Sequence, residues 1–126
     1  MAPRIDAIDH LHIFVSNRQT SERWYAEVLG FSRTPELAFW ARDGGPLTLQ
    51  DAGRQVHLAL FERPRQPCRS TIALRVSAQE FLAWRAHLGA KLLEHPRLEN
   101  HDVSWSLYFA DPDGNPFEIT SYEYEV

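Results

Sequence analysis

Ile8 to Val15 (Ile-Asp-His-Leu-His-Ile-Phe-Val) is dense in β-forming residues and runs into the turn pair Ser16-Asn17, which predicts a strand. From Ser21 to Leu29 the apolar residues Trp24, Tyr25, Val28 and Leu29 recur at helical spacing and make one face of a helix. Thr20 or Ser21 can cap that helix, and Gly30 suits the left-handed residue that ends it. Phe39–Ala41 and Pro46–Gln50 read as short strands around the turn Asp43-Gly44-Gly45, and Val56–Phe61 as another. The pattern then restarts. Thr71–Val76 reads as a strand. Ser77, with Glu80 three residues on, forms a capping box for a helix carrying Phe81, Leu82, Trp84, Arg85 and Leu88, which Gly89 can close. Lys91–Glu94, Trp105–Phe109 and Pro116–Ser121 read as strands, the last two joined by Asp111-Pro112-Asp113-Gly114.

The order strand–helix–strand–strand–strand therefore occurs twice, with a break around residues 62–70. Each unit is too small to bury a sheet face alone and needs its partner. We expect one domain over 1–126, with modules at about 7–62 and 71–122. At 126 residues the chain can bury about two thirds of its unfolded surface without a disulfide. A net charge of −4 lacks the basic stripe of a nucleic-acid binder. No apolar run approaches the roughly 20 residues of a membrane span, and the first residues hold no signal-peptide core. The lone Cys68 points to a reducing compartment, so a cytoplasmic protein is expected.

His10 and His12 stand two apart in a strand and share a face, where a His-x-His pair can chelate one ion with Glu118 as a third ligand. Trp24 and Trp84 sit on helix faces that pack on sheets. Trp40 and Trp105 fall in predicted strands and can line an aromatic cavity for a planar ligand. Ser104, Ser106 and Tyr108 alternate with Trp105, Leu107 and Phe109, so this strand has one polar and one packed face. Phosphate loops, paired-cysteine zinc motifs and the Gly-x-Ser-x-Gly elbow do not occur in the sequence.

Two stretches carry a family resemblance. Asp9-His10-Leu11-His12-Ile13 is followed by Trp24-Tyr25-Ala26-Glu27-Val28-Leu29-Gly30-Phe31, and the chain closes on Tyr108-Phe109-Ala110-Asp111-Pro112-Asp113-Gly114-Asn115-Pro116-Phe117-Glu118. Over essentially its whole length the chain resembles the vicinal-oxygen-chelate superfamily: glyoxalase I, extradiol dioxygenases, fosfomycin-resistance transferases and bleomycin-resistance proteins. The resemblance implies an α+β fold of two βαβββ modules whose curled mixed sheets form a cavity, paired as a homodimer. It implies metal ligands at His10 and Glu118, and a substrate contact at His12. Thr71 stands where the family carries a second histidine. The fourth ligand position falls near Leu58, with His57 on the opposite strand face. His101 and Tyr108, with Glu118 beyond the turn, nearly match the extradiol signature, in which they handle proton transfer and substrate hydrogen bonding; Glu99 departs from it.

Two functions follow from that resemblance. One is a metal-assisted dioxygenase, lyase or isomerase, with Zn, Fe(II), Mn or Ni acting on vicinal oxygens of a small molecule. The other is a metal-free protein that sequesters a small aromatic or cationic molecule, which the acidic chain and Thr71 favour.

Overall fold

Each half of the chain builds one four-stranded mixed sheet, and the two sheets repeat the same connectivity. In this computed structural model, which describes residues 1–123, the first half contains β1 (Leu11–Val15), α1 (Arg18–Trp24), β2 (Ser32–Arg33), β3 (Leu47–Gln50) and β4 (His57–Glu62). The second contains β5 (Ile72–Arg75), α2 (Ala78–Lys91), β6 (Arg97–Asn100), β7 (Trp105–Ala110) and β8 (Pro116–Ser121). The sheet orders are β1-β4-β3-β2 and β5-β8-β7-β6. In both, the first strand lies parallel to the last and the other pairs are antiparallel. The architecture is α+β.

Local chemistry explains most boundaries and corrects several expectations. The first helix is capped by Asn17, whose side-chain oxygen accepts from the Thr20 N–H at 2.9 Å, and not by Thr20 or Ser21. The Ser21 N–H donates to the Asn17 carbonyl, which puts Ser21 inside the helix. A π-helical turn, Tyr25–Leu29, continues α1 and stops at Gly30, whose φ of 71° is the left-handed conformation expected of it. Phe39–Ala41 is not a strand: Pro35 opens a 3₁₀ helix over Pro35–Trp40, since proline presets its φ and has no N–H to give a ladder. Lys91–Glu94 is not a strand either. Gly89 does not close α2, which runs to Lys91, and the strand begins only after Pro96. The Ser77 cap holds, accepting from the Glu80 N–H at 3.3 Å. Ser77→Ala is expected to cost about 1 kcal/mol in urea denaturation; an unchanged midpoint would deny the cap any role.

Alternation along the strands decides what lies inside. Ile13 and Val15 (β1), Leu47 and Leu49 (β3), Leu58 and Leu60 (β4), Leu107 (β7), and Phe117 and Ile119 (β8) are buried. They join Tyr25, Val28 and Leu29 of the π turn and Phe81 and Leu88 of α2 in one core. Both sheets thus turn their apolar faces to a shared interior and their other faces away from it.

The turn Asp111-Pro112-Asp113-Gly114-Asn115 is the joint between the halves. The Asp111 carboxylate accepts from the Tyr25 hydroxyl at 2.6 Å, from the backbone N–H of Asp113 and Asn115 at 2.9 and 2.8 Å, and from Asn115 Nδ2 at 2.8 Å. Asn115 Nδ2 also donates to the Phe14 carbonyl, and Asp113 accepts from the Ser16 N–H. Burial and the adjacent Asp111 charge push the Tyr25 phenol far above its ordinary pKa, so it is a permanent donor. Gly114 suits this turn because its φ of 83° is a left-handed conformation that side chains strain to adopt. No helix among the described residues is long and apolar enough to cross a membrane.

Candidate functional site

The face of the first sheet turned away from the core carries His12 and Phe14 of β1, Thr48 and Gln50 of β3, and His57, Ala59 and Phe61 of β4, because their neighbours in each strand face the core. His10 lies just before β1. Its Nδ1–H donates to Asp9 Oδ2 at 2.7 Å, and its Nε2 stands 3.0 Å from His12 Nε2. The carboxylate therefore fixes the tautomer with the proton on Nδ1, and Nε2 accepts from the His12 Nε2–H. The His12 ring rests against Phe61, with centroids 4.8 Å apart. Beside His10 opens a cavity of about 150 Å³ whose walls include Trp40, Thr48, His57 and Ala59. Trp40 thus reaches the site from a 3₁₀ helix and not from a strand.

The open face of the second sheet carries a hydrogen-bonded row. Tyr108 and Glu118 are direct cross-strand partners, as are Arg97 and Tyr108. Glu118 Oε2 accepts from Ser106 Oγ at 2.6 Å, and the carboxylate also bonds the Tyr108 side chain. His101 Nε2 lies 2.9 Å from the Tyr108 hydroxyl, and the Arg97 guanidinium carbon sits 4.7 Å from the Tyr108 ring centroid. Burial, and then the Glu118 charge, raise the Tyr108 pKa above its ordinary value, so the phenol keeps its proton at neutral pH. An arrangement of this kind can present a proton to a ligand oxygen.

The expected residues fall into two groups. His10, His12 and Trp40 gather on the first sheet; His101, Tyr108 and Glu118 gather on the second. Within one chain the two groups do not join: the walls of the His10 cavity come from residues 9–59, without Glu118. Among the described residues, no three His, Cys, Asp or Glu side chains are grouped to hold a metal ion. The shared core explains this, because it points the two polar faces away from it. Trp105 is not on the polar face. It packs against the core with Leu107 and Phe109, as strand alternation requires. The ligand position placed near Leu58 is also one residue off. Leu58 is buried in the core, His57 shares the cavity with His10, and the strand partner of His12 is Ala59. Since Glu118 pairs with Ala73, two residues past Thr71, its counterpart in the first half is Ala59, which has no ligating atom.

A family model, the Glyoxalase/Bleomycin resistance protein/Dioxygenase superfamily, matches residues 7–119. The chain belongs to this superfamily. Solved structures agree on the fold. An integron cassette protein from the mobile metagenome of the Halifax Harbour sewage outfall is 24% identical, with 93% of this chain and 99% of that one covered and a TM-score of 0.68. A virulence protein from Salmonella typhimurium is 27% identical, covering 95% and 99%, with a TM-score of 0.62. The fosfomycin resistance protein FosX from Listeria monocytogenes, in complex with Mn(II) and 1S,2S-dihydroxypropylphosphonic acid, is 14% identical, covering 92% and 90%, with a TM-score of 0.65. The superfamily fold supports many reactions, so the residues of this chain have to carry any functional argument.

Sequence reasoning missed three contributors. Asp9 as the partner of His10 had no periodic signal, because both residues precede the ladder. Arg97 over Tyr108 depends on the pairing of β6 with β7, and the strand had been placed too early in the chain. Thr48 reads as an ordinary strand residue until its lack of a partner is seen.

Proposed function

We propose that the protein is a metal-assisted enzyme acting on a small organic molecule with vicinal oxygens, and that it works as a homodimer. The observation carrying this reading is the row His101–Tyr108–Glu118–Ser106, a protonated phenol held beside a carboxylate. The donor types fit a divalent ion: Asp9 holds the His10 proton on Nδ1, so Nε2 keeps the lone pair that an ion would take in place of the His12 N–H, and Glu118 supplies a carboxylate. His10, Glu118 and, as a third ligand, His12 would hold the ion, with His10 and Glu118 contributed by different chains of the dimer because they lie on separate sheets within one chain. When bound there, the ion would polarise the oxygens of the substrate as a Lewis acid. Tyr108 donates to a substrate oxygen, His101 holds the phenol in place and returns its proton, and Trp40 and His12 contact the substrate body.

Metal content tests this directly. Protein purified without a tag or chelator is expected to hold about one divalent ion per chain, and His10→Ala and Glu118→Gln are expected to lose it. His12→Ala should lower occupancy as well; full occupancy would reassign His12 to substrate contact. Thr71, in place of a histidine at the head of β5, favours a second reading: a metal-free protein that sequesters a small molecule. Protein that holds no metal as purified, takes up none when divalent ions are supplied, and still binds small aromatic or cationic compounds would establish that reading instead.

A further inference from the structure

Thr48, in the wall of the cavity beside His10, carries a hydroxyl with nothing to bond. The Thr48 hydroxyl oxygen is buried and has no hydrogen-bond partner, the one such side-chain atom among the described residues. An unpaired buried hydroxyl is costly, and native proteins satisfy such groups with water or a ligand. Thr48 faces the cavity across from Ala59, its antiparallel partner, because Leu47 and Leu49 take the core side. The other walls combine apolar surface from Trp40, Leu37 and Pro46 with the side chains of His10 and His57. A space of about 150 Å³ is the size that accepts one benzene-sized ring in a protein interior. The charges narrow the guest further. Exposed Asp9 and Glu36 stand at the cavity and no Lys or Arg lines it, so an anionic group would meet two carboxylates and no permanently charged cation.

We propose that this cavity is a ring-binding subsite for a neutral, single-ring guest bearing a hydroxyl, and that Thr48, after a turn about χ1, is the hydroxyl's partner. The ring packs between Trp40 and Ala59, and the remainder of the molecule extends toward His10. This deepens the reading of a small-molecule site given above. The subsite is nevertheless built from the first sheet alone and needs no metal, so it is tested separately from that reading.

The probe is phenol, titrated into full-length protein in EDTA and followed by chemical-shift changes and by tryptophan fluorescence. Saturable binding in the millimolar range or tighter is expected. Benzoate, similar in size but anionic, is expected to bind at least tenfold more weakly. Thr48→Val keeps the shape and removes the hydroxyl. It should weaken phenol roughly two- to tenfold, the equivalent of one hydrogen bond, while leaving benzene binding unchanged or tighter. Ala59→Leu fills the space and should abolish binding of both rings. A Thr48→Val protein with an unchanged melting temperature and unchanged phenol affinity would overturn the assignment. So would wild-type protein that fails to bind phenol, or that binds benzoate as well as phenol. Failure of the metal-dependent reading leaves all of these outcomes as they are, because the titrations are run in EDTA.

Discussion

Asp111→Ala is expected to remove about 3–5 kcal/mol of folding stability, the largest single effect foreseen for this chain. The carboxylate is buried and accepts four hydrogen bonds from Tyr25, Asp113 and Asn115. Truncation leaves those donors without partners inside the protein, and each unsatisfied group costs about 1–3 kcal/mol before relaxation. Against a total of roughly 5–15 kcal/mol for a domain, this change can prevent folded protein from accumulating. Tyr25→Phe is the milder companion. It removes one bond to a charged acceptor and should cost about 1.5–3 kcal/mol. Urea denaturation of both variants checks the argument. Losses below about 1 kcal/mol in either would mean that the turn does not join the two halves energetically.

Tyr108→Phe is expected to separate function from stability. The ring under Arg97 is retained, and only the hydroxyl bonded to His101 is lost. The melting temperature should therefore change little. If Tyr108 delivers the proton to a substrate oxygen, the rate on any substrate turned over should fall by about 10²–10⁴. A hydrogen bond to a bound ligand alone would instead cost roughly 0.5–1.5 kcal/mol of affinity. Measuring both quantities on the same preparation distinguishes the roles. Unaltered rate and affinity would leave the tyrosine as a packing residue.

The strand errors show where pattern reading meets its physical limit. Phe39-Trp40-Ala41 and Lys91–Glu94 both contain apolar residues in short runs, and a short run has no period of its own. Pro35 and the continuing turns of α2 decided those segments, through backbone geometry and not through side-chain burial. The longer elements were legible because their period was sampled several times. Alternation along β7 separated Ser106 and Tyr108 from Leu107 and Phe109 correctly, and the same alternation excludes Trp105 from the polar face. The residue-by-residue carry-over onto Leu58 failed by one position, and in a strand one position exchanges the two faces.

The sequence by itself determined that a strand–helix–strands unit repeats, though not which segments form β2 and β6, together with the Ser77 cap, the stop at Gly30, and the local grouping of His101, Tyr108 and Glu118. Each depends on spacing within a strand, a helix or a single turn, so short-range geometry suffices. Only the tertiary structure decided that His10 and Glu118 lie on separate faces, that Asp9 orients His10, that Asp111 fastens Tyr25, and that Thr48 is left without a partner. Those facts depend on how two sheets share one core, and burial on a common interior is a long-range property that no local period encodes.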